Sequence, residues 1–153
     1  MRESDLGAGG PAASRPQRIG YARGAYDLFH VGHLNLLRQA RAHCDHLIAG
    51  VVSDEVLERT KNLTPVVPEL ERVEIVRHIR YVDEAVVDAT ANAFEAWQAY
   101  GFTVYFKGDD WRGTPKGLAL EASFADVGVE IVYFPYTATT SSTRLRRALE
   151  AFG

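Results

Sequence analysis

The sequence has little cysteine and no long apolar run. Cys44 is the only cysteine among the 153 residues, so an intramolecular disulfide cannot form. That scarcity is typical of proteins from reducing compartments, and it predicts a cytoplasmic location. No uninterrupted apolar stretch approaches the roughly 18 residues that a membrane-spanning helix needs, so we expect no membrane partner.

A strong net charge is also missing. The chain carries 17 Lys and Arg residues against 20 Asp and Glu residues, which gives a formal net charge of −3. So small a charge provides no bulk attraction to nucleic acid or to an anionic membrane. We therefore expect no nucleic-acid partner, and any recognition of phosphate has to come from a local site.

Large apolar side chains are nearly absent from the first 17 residues, which are rich in Gly, Ala, Ser and Pro. Without a continuous apolar stretch, this segment does not resemble a secretory signal. The composition predicts a disordered tail over residues 1–17, followed by one domain over residues 18–153.

Beyond residue 17, apolar runs alternate with amphipathic stretches. The apolar runs predict β-strands at 19–24, 46–53, 84–89, 103–108 and 129–136. The amphipathic stretches predict helices at 31–44, 53–60, 68–80, 91–101, 114–128 and 141–152. We expect Leu70, Val73, Val76 and Ile79 to share the buried face of the third helix. Such alternation predicts an α/β fold, a Rossmann-like parallel five-stranded sheet with helices on both faces, whose ligands bind at the carboxyl ends of the strands.

Two histidines flank a glycine where the first strand gives way to the first helix. His30 and His33 fall in or beside the first helical turn, and Gly32 leaves room for a ligand to approach the backbone. A helix N-terminus offers unpaired N–H groups and a positive dipole end. Imidazoles added there can donate hydrogen bonds to phosphate oxygens and stabilise charge that develops in a transition state. The alternative is that both are chance surface histidines.

Other polar residues have competing interpretations. Asp27 could orient a histidine, cap the helix or act through a metal. Asp109 and Asp110 follow a predicted strand, where either a ligand site or an ordinary turn is expected. The His43-Cys44-Asp45-His46 segment could bind a metal, although structural zinc sites usually have four ligands at wider spacing.

Four segments resemble the cytidylyltransferase family of nucleotidyltransferases. They are GAYDLFHVGHLNLLRQAR (24–41), ERVEIVRHIRYVDE (71–84), KGDDW (107–111) and YTATTSSTRLRR (136–147). KGDDW is similar to the segment of glycerol-3-phosphate cytidylyltransferases in particular. The resemblance covers residues 18–150. It implies an enzyme that joins CTP, aided by Mg²⁺, to a small phosphorylated alcohol such as glycerol 3-phosphate or a related polyol or sugar phosphate, and that releases pyrophosphate.

The resemblance also implies roles for individual residues. His30 and His33 would stabilise the α-phosphate, Lys61 in its proline-bearing loop would reach the phosphates, and Arg72 would bind the triphosphate or the incoming phosphate. The implied nucleotide-binding residues are Gly24, Ala25, Tyr26, Asp27, Gly32, Gly108, Asp109, Asp110, Tyr136, Thr140, Ser141 and Ser142. Ser141 and Ser142 would hold the β- and γ-phosphates, a homodimer is expected, and no residue is assigned as a metal ligand.

The chain departs from the family pattern at three positions. Ala25 replaces a threonine, Thr139 replaces a glycine, and Tyr136 replaces the arginine that opens the last motif. Because tyrosine supplies no fixed positive charge, either the phosphate charge is met elsewhere or the acceptor differs from glycerol 3-phosphate. Two alternatives stay open, namely an adenylyltransferase acting on a sugar or flavin phosphate and a nucleotide-binding module without catalysis.

Overall fold

In the computed structural model, residues 17–136 and 139–152 are described, so residues 1–16 of the predicted disordered tail lie outside the described part. The strands are β1 (Ile19–Gly24), β2 (His46–Val52), β3 (Glu84–Asp88), β4 (Val104–Gly108) and β5 (Glu130–Phe134). The helices are α1 (Val31–Arg41), α2 (Asp54–Lys61), α3 (Glu69–Arg77), α4 (Ala93–Tyr100), α5 (Pro115–Ala125) and α6 (Ser142–Phe152), with a 3-10 turn at Asp109–Trp111.

All five strands pair in parallel in the order β3-β2-β1-β4-β5. The predicted Rossmann-like architecture is therefore confirmed. The chain moves outward from β1 through β2 to β3 and then returns to place β4 on the other side of β1. This reversal of strand order opens a crevice between the carboxyl ends of β1 and β4, where α/β proteins bind their ligands.

Two apolar layers cover the sheet, one on each face. On one face, Leu37 of α1 and Val76 of α3 are fully buried against the strands. On the other face, Phe124 of α5 packs with Phe102 and Tyr105. In the described part of the chain, no helix has the length and apolar character needed to cross a bilayer.

A buried polar network links β1 to β3. The Asp88 carboxylate is fully buried and accepts hydrogen bonds from the Tyr21 hydroxyl (2.5 Å) and from Arg23 Nε (2.9 Å). Gly50 makes this possible, because a Cβ at position 50 would overlap the Tyr21 hydroxyl. The network fixes the Arg23 guanidinium at the carboxyl end of β1, beside the crevice.

Helix α3 differs from the prediction in its buried face. Leu70 is 72% exposed, whereas Arg72, Val73 and Val76 are buried. At about 100° per residue, the stripe formed by positions 72, 73 and 76 points well away from position 70. An arginine thus takes a place that the hydrophobic pattern had given to Leu70. Pro68 is the N-cap rather than the first helical residue, and α1 ends at Arg41 instead of residue 44.

Candidate active site

A cavity of about 480 Å³ opens at the carboxyl ends of the strands, between the start of α1 and the start of α6. We call it the histidine cavity. It brings together eight of the predicted site residues, which come from three separate segments of the chain. They are His30, Gly32, His33, Gly108, Tyr136, Thr140, Ser141 and Ser142.

The two histidines cap α1 reciprocally. His30 is the N-cap residue, and its Nδ1 accepts the backbone N–H of Gly32 at 3.0 Å. The Nδ1 atom of His33 accepts the backbone N–H of His30 at 3.2 Å. Because Nδ1 accepts in both rings, each neutral imidazole carries its proton on Nε2. The cap therefore fixes the tautomer of both rings and leaves two Nε2–H donors at the cavity.

Electrostatics keep these imidazoles neutral. Burial lowers the pKa of His33 to about 3, with a further contribution from the neighbouring His30. Burial also lowers the pKa of His30. The ring centroids are only 4.0 Å apart, so two protonated rings would repel each other strongly. Two neutral donors at a helix N-terminus suit an anion that gains charge during a reaction.

The lowered pKa of His33 predicts a loss of stability in acid. An unfolded chain binds a proton on this ring near pH 6.5, whereas the folded chain resists protonation down to about pH 3. Between these values the unfolded state binds more protons, so the free energy of unfolding falls as the pH falls. At about pH 5, we expect the contribution of His33 to the free energy of unfolding to be about 2 kcal/mol lower than at neutral pH.

Urea unfolding of wild type and His33→Asn at several pH values measures this contribution. The variant should lose part of the acid dependence, because its side chain does not titrate. His43→Asn is the matched control, since His43 is exposed beyond the end of α1. Parallel pH curves for wild type and His33→Asn would contradict the prediction.

The loop between β1 and α1 is held in a strained conformation. Tyr26 and Leu28 both adopt left-handed backbone angles, with φ of 55° and 52°. Between them, the buried Asp27 carboxylate accepts the backbone N–H groups of Val66 (2.8 Å) and Val67 (2.9 Å). It also pairs with Arg146 of α6 at 3.2 Å. Asp27 therefore ties the α2–α3 loop and α6 to the site, while the capping role falls to His30.

The start of α6 lies against this loop. Ser142 Oγ donates to the carbonyl oxygen of Asp27 at 2.6 Å, and Ser141 Oγ accepts the backbone N–H of Arg144 at 3.1 Å. Ser141 thus caps α6 at the edge of the histidine cavity. The N–H groups of this first turn add a second helix terminus to the site, facing the same space as α1.

Tyr136 lies at the rim of the histidine cavity. Its ring packs on Gly108, where a Cβ would come within 3.1 Å of the ring. Burial and a hydrogen bond to Asp110 raise the pKa of the Tyr136 hydroxyl to about 12. Asp109 and Asp110 lie in the 3-10 turn that follows β4. At the position where the family pattern has an arginine, this chain therefore has a phenol, and two carboxylates lie in the neighbouring turn.

A second cavity of about 610 Å³ lies on the α4–α5 side of the crevice. Its lining includes the predicted site residues Gly24, Ala25 and Lys61. Lys61 is the last residue of α2 rather than part of the following loop. We call this space the cationic cavity, because the charged side chains of its described lining are Arg23, Lys61, Lys107 and Lys116.

Sequence reasoning missed three of these four cations. The sequence did contain a signal for two of them: Arg23 and Lys107 each precede a glycine at the carboxyl end of a strand. Those strands, β1 and β4, flank the reversal of strand order. Lys116 lies in the first turn of α5, which the sequence gives no reason to place at the site.

Three predicted site residues lie in the interior instead of a cavity, namely Asp27, described above, Tyr26 and Arg72. Tyr26 is 3% exposed, and its hydroxyl donates to the carbonyl oxygen of Ala22 at 2.9 Å. The guanidinium of Arg72 is fully buried. It donates to the carbonyl oxygens of Val67, Ala25 and Val52 and pairs with Asp54. In this arrangement Arg72 therefore links buried backbone and side-chain acceptors, and it lines neither cavity.

The His43-Cys44-Asp45-His46 segment does not form a metal site. His43 Nδ1 lies 2.9 Å from the carbonyl oxygen of Gln39, and His46 Nε2 lies 3.2 Å from Glu84. Within residues 17–136 and 139–152, no group of three or more His, Cys, Asp or Glu side chains is arranged to hold a metal ion.

Comparisons with known proteins agree with this geometry. A sequence model of the cytidylyltransferase-like family matches residues 21–148. A bifunctional protein HldE from Hyphomonas neptunium is 33% identical over 129 residues, which cover 84% of this chain and 26% of that protein. An ethanolamine-phosphate cytidylyltransferase from Arabidopsis thaliana is 40% identical over 108 residues, which cover 67% of this chain and 25% of that protein. This chain thus spans about a quarter of the length of these relatives.

A solved structure has a similar fold. The lipopolysaccharide core biosynthesis protein from Thermoplasma volcanium superposes with a TM-score of 0.70 at 20% sequence identity, covering 80% of this chain and 99% of that one. The family match extends over most of the chain and includes both histidines, the crevice and the start of α6. The chain belongs to the cytidylyltransferase-like family.

Proposed function

We propose that this protein is a nucleotidyltransferase that transfers a cytidylyl group from CTP to a small phosphorylated alcohol and releases pyrophosphate. The observation that carries the proposal is the pair of neutral imidazoles whose Nε2–H groups are left for a ligand by the reciprocal cap. The name of the Arabidopsis relative supports the choice of CTP.

The reaction requires little covalent chemistry from the protein. A phosphate oxygen of the acceptor attacks the α-phosphorus of CTP. The bond between that phosphorus and the oxygen that bridges the α- and β-phosphates breaks. The new phosphoanhydride bond joins acceptor and cytidylyl group, and pyrophosphate carries away the electron pair of the broken bond. Catalysis then rests on positioning and on stabilising the charge of the transition state.

The site offers a group for each part of this reaction. The Nε2–H groups of His30 and His33 would donate to the α-phosphate oxygens and to the leaving pyrophosphate. The first turn of α6 would bind the β- and γ-phosphates through its N–H groups and Ser141. Lys61 of the cationic cavity would reach the attacking phosphate as a flexible point charge.

Magnesium would enter with the nucleotide. Mg²⁺ in such sites is usually held by substrate phosphates and one or two carboxylates, so a site built only from protein ligands is not required. Asp109 and Asp110 are the carboxylates in the turn beside Gly108, a residue of the histidine cavity. They fit this role, and the ion would neutralise charge on the triphosphate.

A panel of nucleotides and acceptors tests the proposal. CTP and ATP are each combined with glycerol 3-phosphate, a sugar 1-phosphate, phosphoethanolamine and flavin mononucleotide, and the release of pyrophosphate is measured. Turnover with CTP and a phosphorylated alcohol is the expected result. Turnover with ATP alone would favour the adenylyltransferase alternative. Nucleotide binding without turnover of any acceptor would favour a module without catalysis.

Replacing Tyr136 with arginine should strengthen the binding of CTP. Tyr136 lines the histidine cavity and not the cationic cavity. A guanidinium at position 136 would therefore lie near the triphosphate. A charge-assisted contact of this kind is worth roughly 1.5–3 kcal/mol. Because Asp110 would compete for the guanidinium, we expect an effect near the lower limit of this range, which lowers the KM for CTP by about tenfold.

Steady-state kinetics on wild type and Tyr136→Arg, with Tyr136→Gln as the uncharged control, measure this effect. The relative kcat/KM values of different acceptors should stay unchanged. A change in acceptor preference with an unaltered KM for CTP would instead make position 136 a determinant of the acceptor.

We also propose that the protein forms a homodimer through α3 and the following segment, residues 77–84. Leu70 and Ile75 of α3 are 72% and 46% exposed, which is typical of a surface that another chain covers. Light scattering should give twice the chain mass of 16.9 kDa. A mass of one chain at micromolar concentration would contradict this proposal.

A further inference from the structure

The charges around the cationic cavity are unbalanced. Its described lining contains four cationic side chains and no carboxylate. Arg23 is neutralised by the buried Asp88, and Lys107 lies 4.0 Å from Asp110, which stands outside the lining. Neither Lys61 nor Lys116 forms an ion pair within the described part of the chain. Lys61 and Lys116 therefore have no acidic partner there. A reacting phosphate bound at Lys61 would leave the ammonium group of Lys116 available to a second anionic group of the same acceptor.

The aromatic surface of the cavity is already in contact with ammonium groups. Lys107 Nζ lies 3.9 Å and Lys116 Nζ 5.5 Å from the centroid of the Trp111 ring. A tryptophan face is the surface that a cationic ligand would otherwise use. A substrate ammonium group would therefore meet an occupied ring, four like charges and no carboxylate in the described lining.

Two further features add to the positive potential. Lys116 stands in the first turn of α5, which has no acidic residue, so its charge adds to the positive end of the helix dipole. Burial lowers the pKa of Lys107, and the nearby Lys61 and Arg23 lower it further, which indicates mutual repulsion among these cations. An anion in the cavity would relieve this repulsion.

We propose that the cationic cavity selects an acceptor with a second anionic group besides the reacting phosphate, such as a phosphorylated hydroxy acid, and rejects amino-alcohol phosphates. Lys116 is the residue that recognises the second anion, while Lys61 serves the reacting phosphate. This inference rests on the proposed function for the placement of the acceptor. It assigns the acceptor's chemical class, which the family match leaves open.

Calorimetry with three matched acceptors tests the inference without requiring turnover. The probes are 3-phosphoglycerate, glycerol 3-phosphate and phosphoethanolamine, each titrated into protein that holds Mg²⁺ and an α,β-methylene analogue of CTP. They present a carboxylate, a neutral hydroxyl and an ammonium group beside one phosphate. We expect 3-phosphoglycerate to bind about tenfold more tightly than glycerol 3-phosphate, and phosphoethanolamine to bind most weakly.

Three variants distinguish the contributions of Lys61 and Lys116 to the binding of the acceptor. Lys116→Gln should weaken 3-phosphoglycerate about tenfold and leave glycerol 3-phosphate unchanged, whereas Lys61→Gln should weaken both. Lys116→Gln should also improve the relative affinity for phosphoethanolamine, because it removes one positive charge and uncovers part of the Trp111 face. Arg18→Gln, which removes an exposed charge just before the amino end of β1, at the edge of the sheet opposite the cavity, is the control and should change none of these affinities.

The possible outcomes are distinct. Equal affinities for 3-phosphoglycerate and glycerol 3-phosphate, equal losses of both in Lys116→Gln, or no binding of any probe would overturn the inference. Turnover with phosphoethanolamine as the best acceptor would also overturn it while leaving the transferase function intact. The expected order of affinities without pyrophosphate release from CTP would support the inference and refute the proposed function.

Discussion

Replacing His33 with alanine is expected to lower kcat by at least about 100-fold, which is the usual effect of removing one transition-state hydrogen-bond donor. The Nε2–H of His33 lies on a neutral, half-buried ring at a helix N-terminus, and the reciprocal cap fixes that ring, so the donor would be oriented before the reaction begins. Water entering the vacated space would have to reorient as charge develops, and this cost appears in the barrier.

A second variant separates chemistry from structure. His33 Nδ1 also accepts the backbone N–H of His30, so alanine removes a cap as well as a donor. His33→Asn places an amide oxygen close to the position of Nδ1 and supplies nothing at the position of Nε2. We expect His33→Asn to lose as much kcat as His33→Ala while keeping nearly wild-type stability in urea. His43→Ala, at an exposed position beyond the end of α1, is the control and should retain full activity.

The comparison of the two variants decides the role of His33. If His33→Asn kept most of the activity of wild type, the contribution of His33 would be its cap on α1 and not its Nε2–H. If both variants turned over the correct substrates as fast as wild type, His33 would have no part in the reaction.

The strand and helix pattern was readable from the sequence because each buried strand is a compact apolar run and each helix has a local start signal. The His30–Gly32–His33 cluster was readable for the same reason, since its residues are neighbours in the chain and their geometry follows from one helical turn. Periodicity and capping act over a few residues, so they can be recognised in the sequence without knowledge of the rest of the fold.

The cationic cavity was not readable, because its members are far apart in the chain. Arg23, Lys61, Lys107 and Lys116 come from four separate elements, and only the strand order brings them together. The role of Asp27 could not be predicted from the sequence for a related reason. A carboxylate can cap, bind metal or accept backbone N–H groups, and the choice depends on which distant segment, here residues 66 and 67, packs against it.

Arg72 shows why the role of a charged residue is hard to predict when its burial is unknown. A phosphate-binding role requires an accessible guanidinium, and that of Arg72 is fully buried. Its Nη1 joins the carbonyl oxygens of Ala25 (2.6 Å) and Val52 (2.9 Å), and its Nε donates to that of Val67 (2.7 Å). The side chain thus holds together the carboxyl ends of β1 and β2 and the loop before α3, just behind the crevice.

Replacing Arg72 with methionine should therefore destabilise the fold by about 3–5 kcal/mol. Methionine fills a similar volume but donates no hydrogen bond, so three carbonyl oxygens and the Asp54 carboxylate lose their partner. Buried acceptors left without a donor keep their full desolvation cost, which explains the size of the effect. The free energy of unfolding in urea measures it directly.

Two further variants sharpen this test. Arg72→Lys keeps the charge but cannot bridge four acceptors from different directions, so it should fall between wild type and Arg72→Met. Arg59→Met removes an exposed arginine from α2 and should change the stability by less than about 0.5 kcal/mol. A phosphate-binding role would give the opposite pattern: Arg72→Met would unfold at the same urea concentration as wild type and lose only its affinity for the nucleotide or the acceptor.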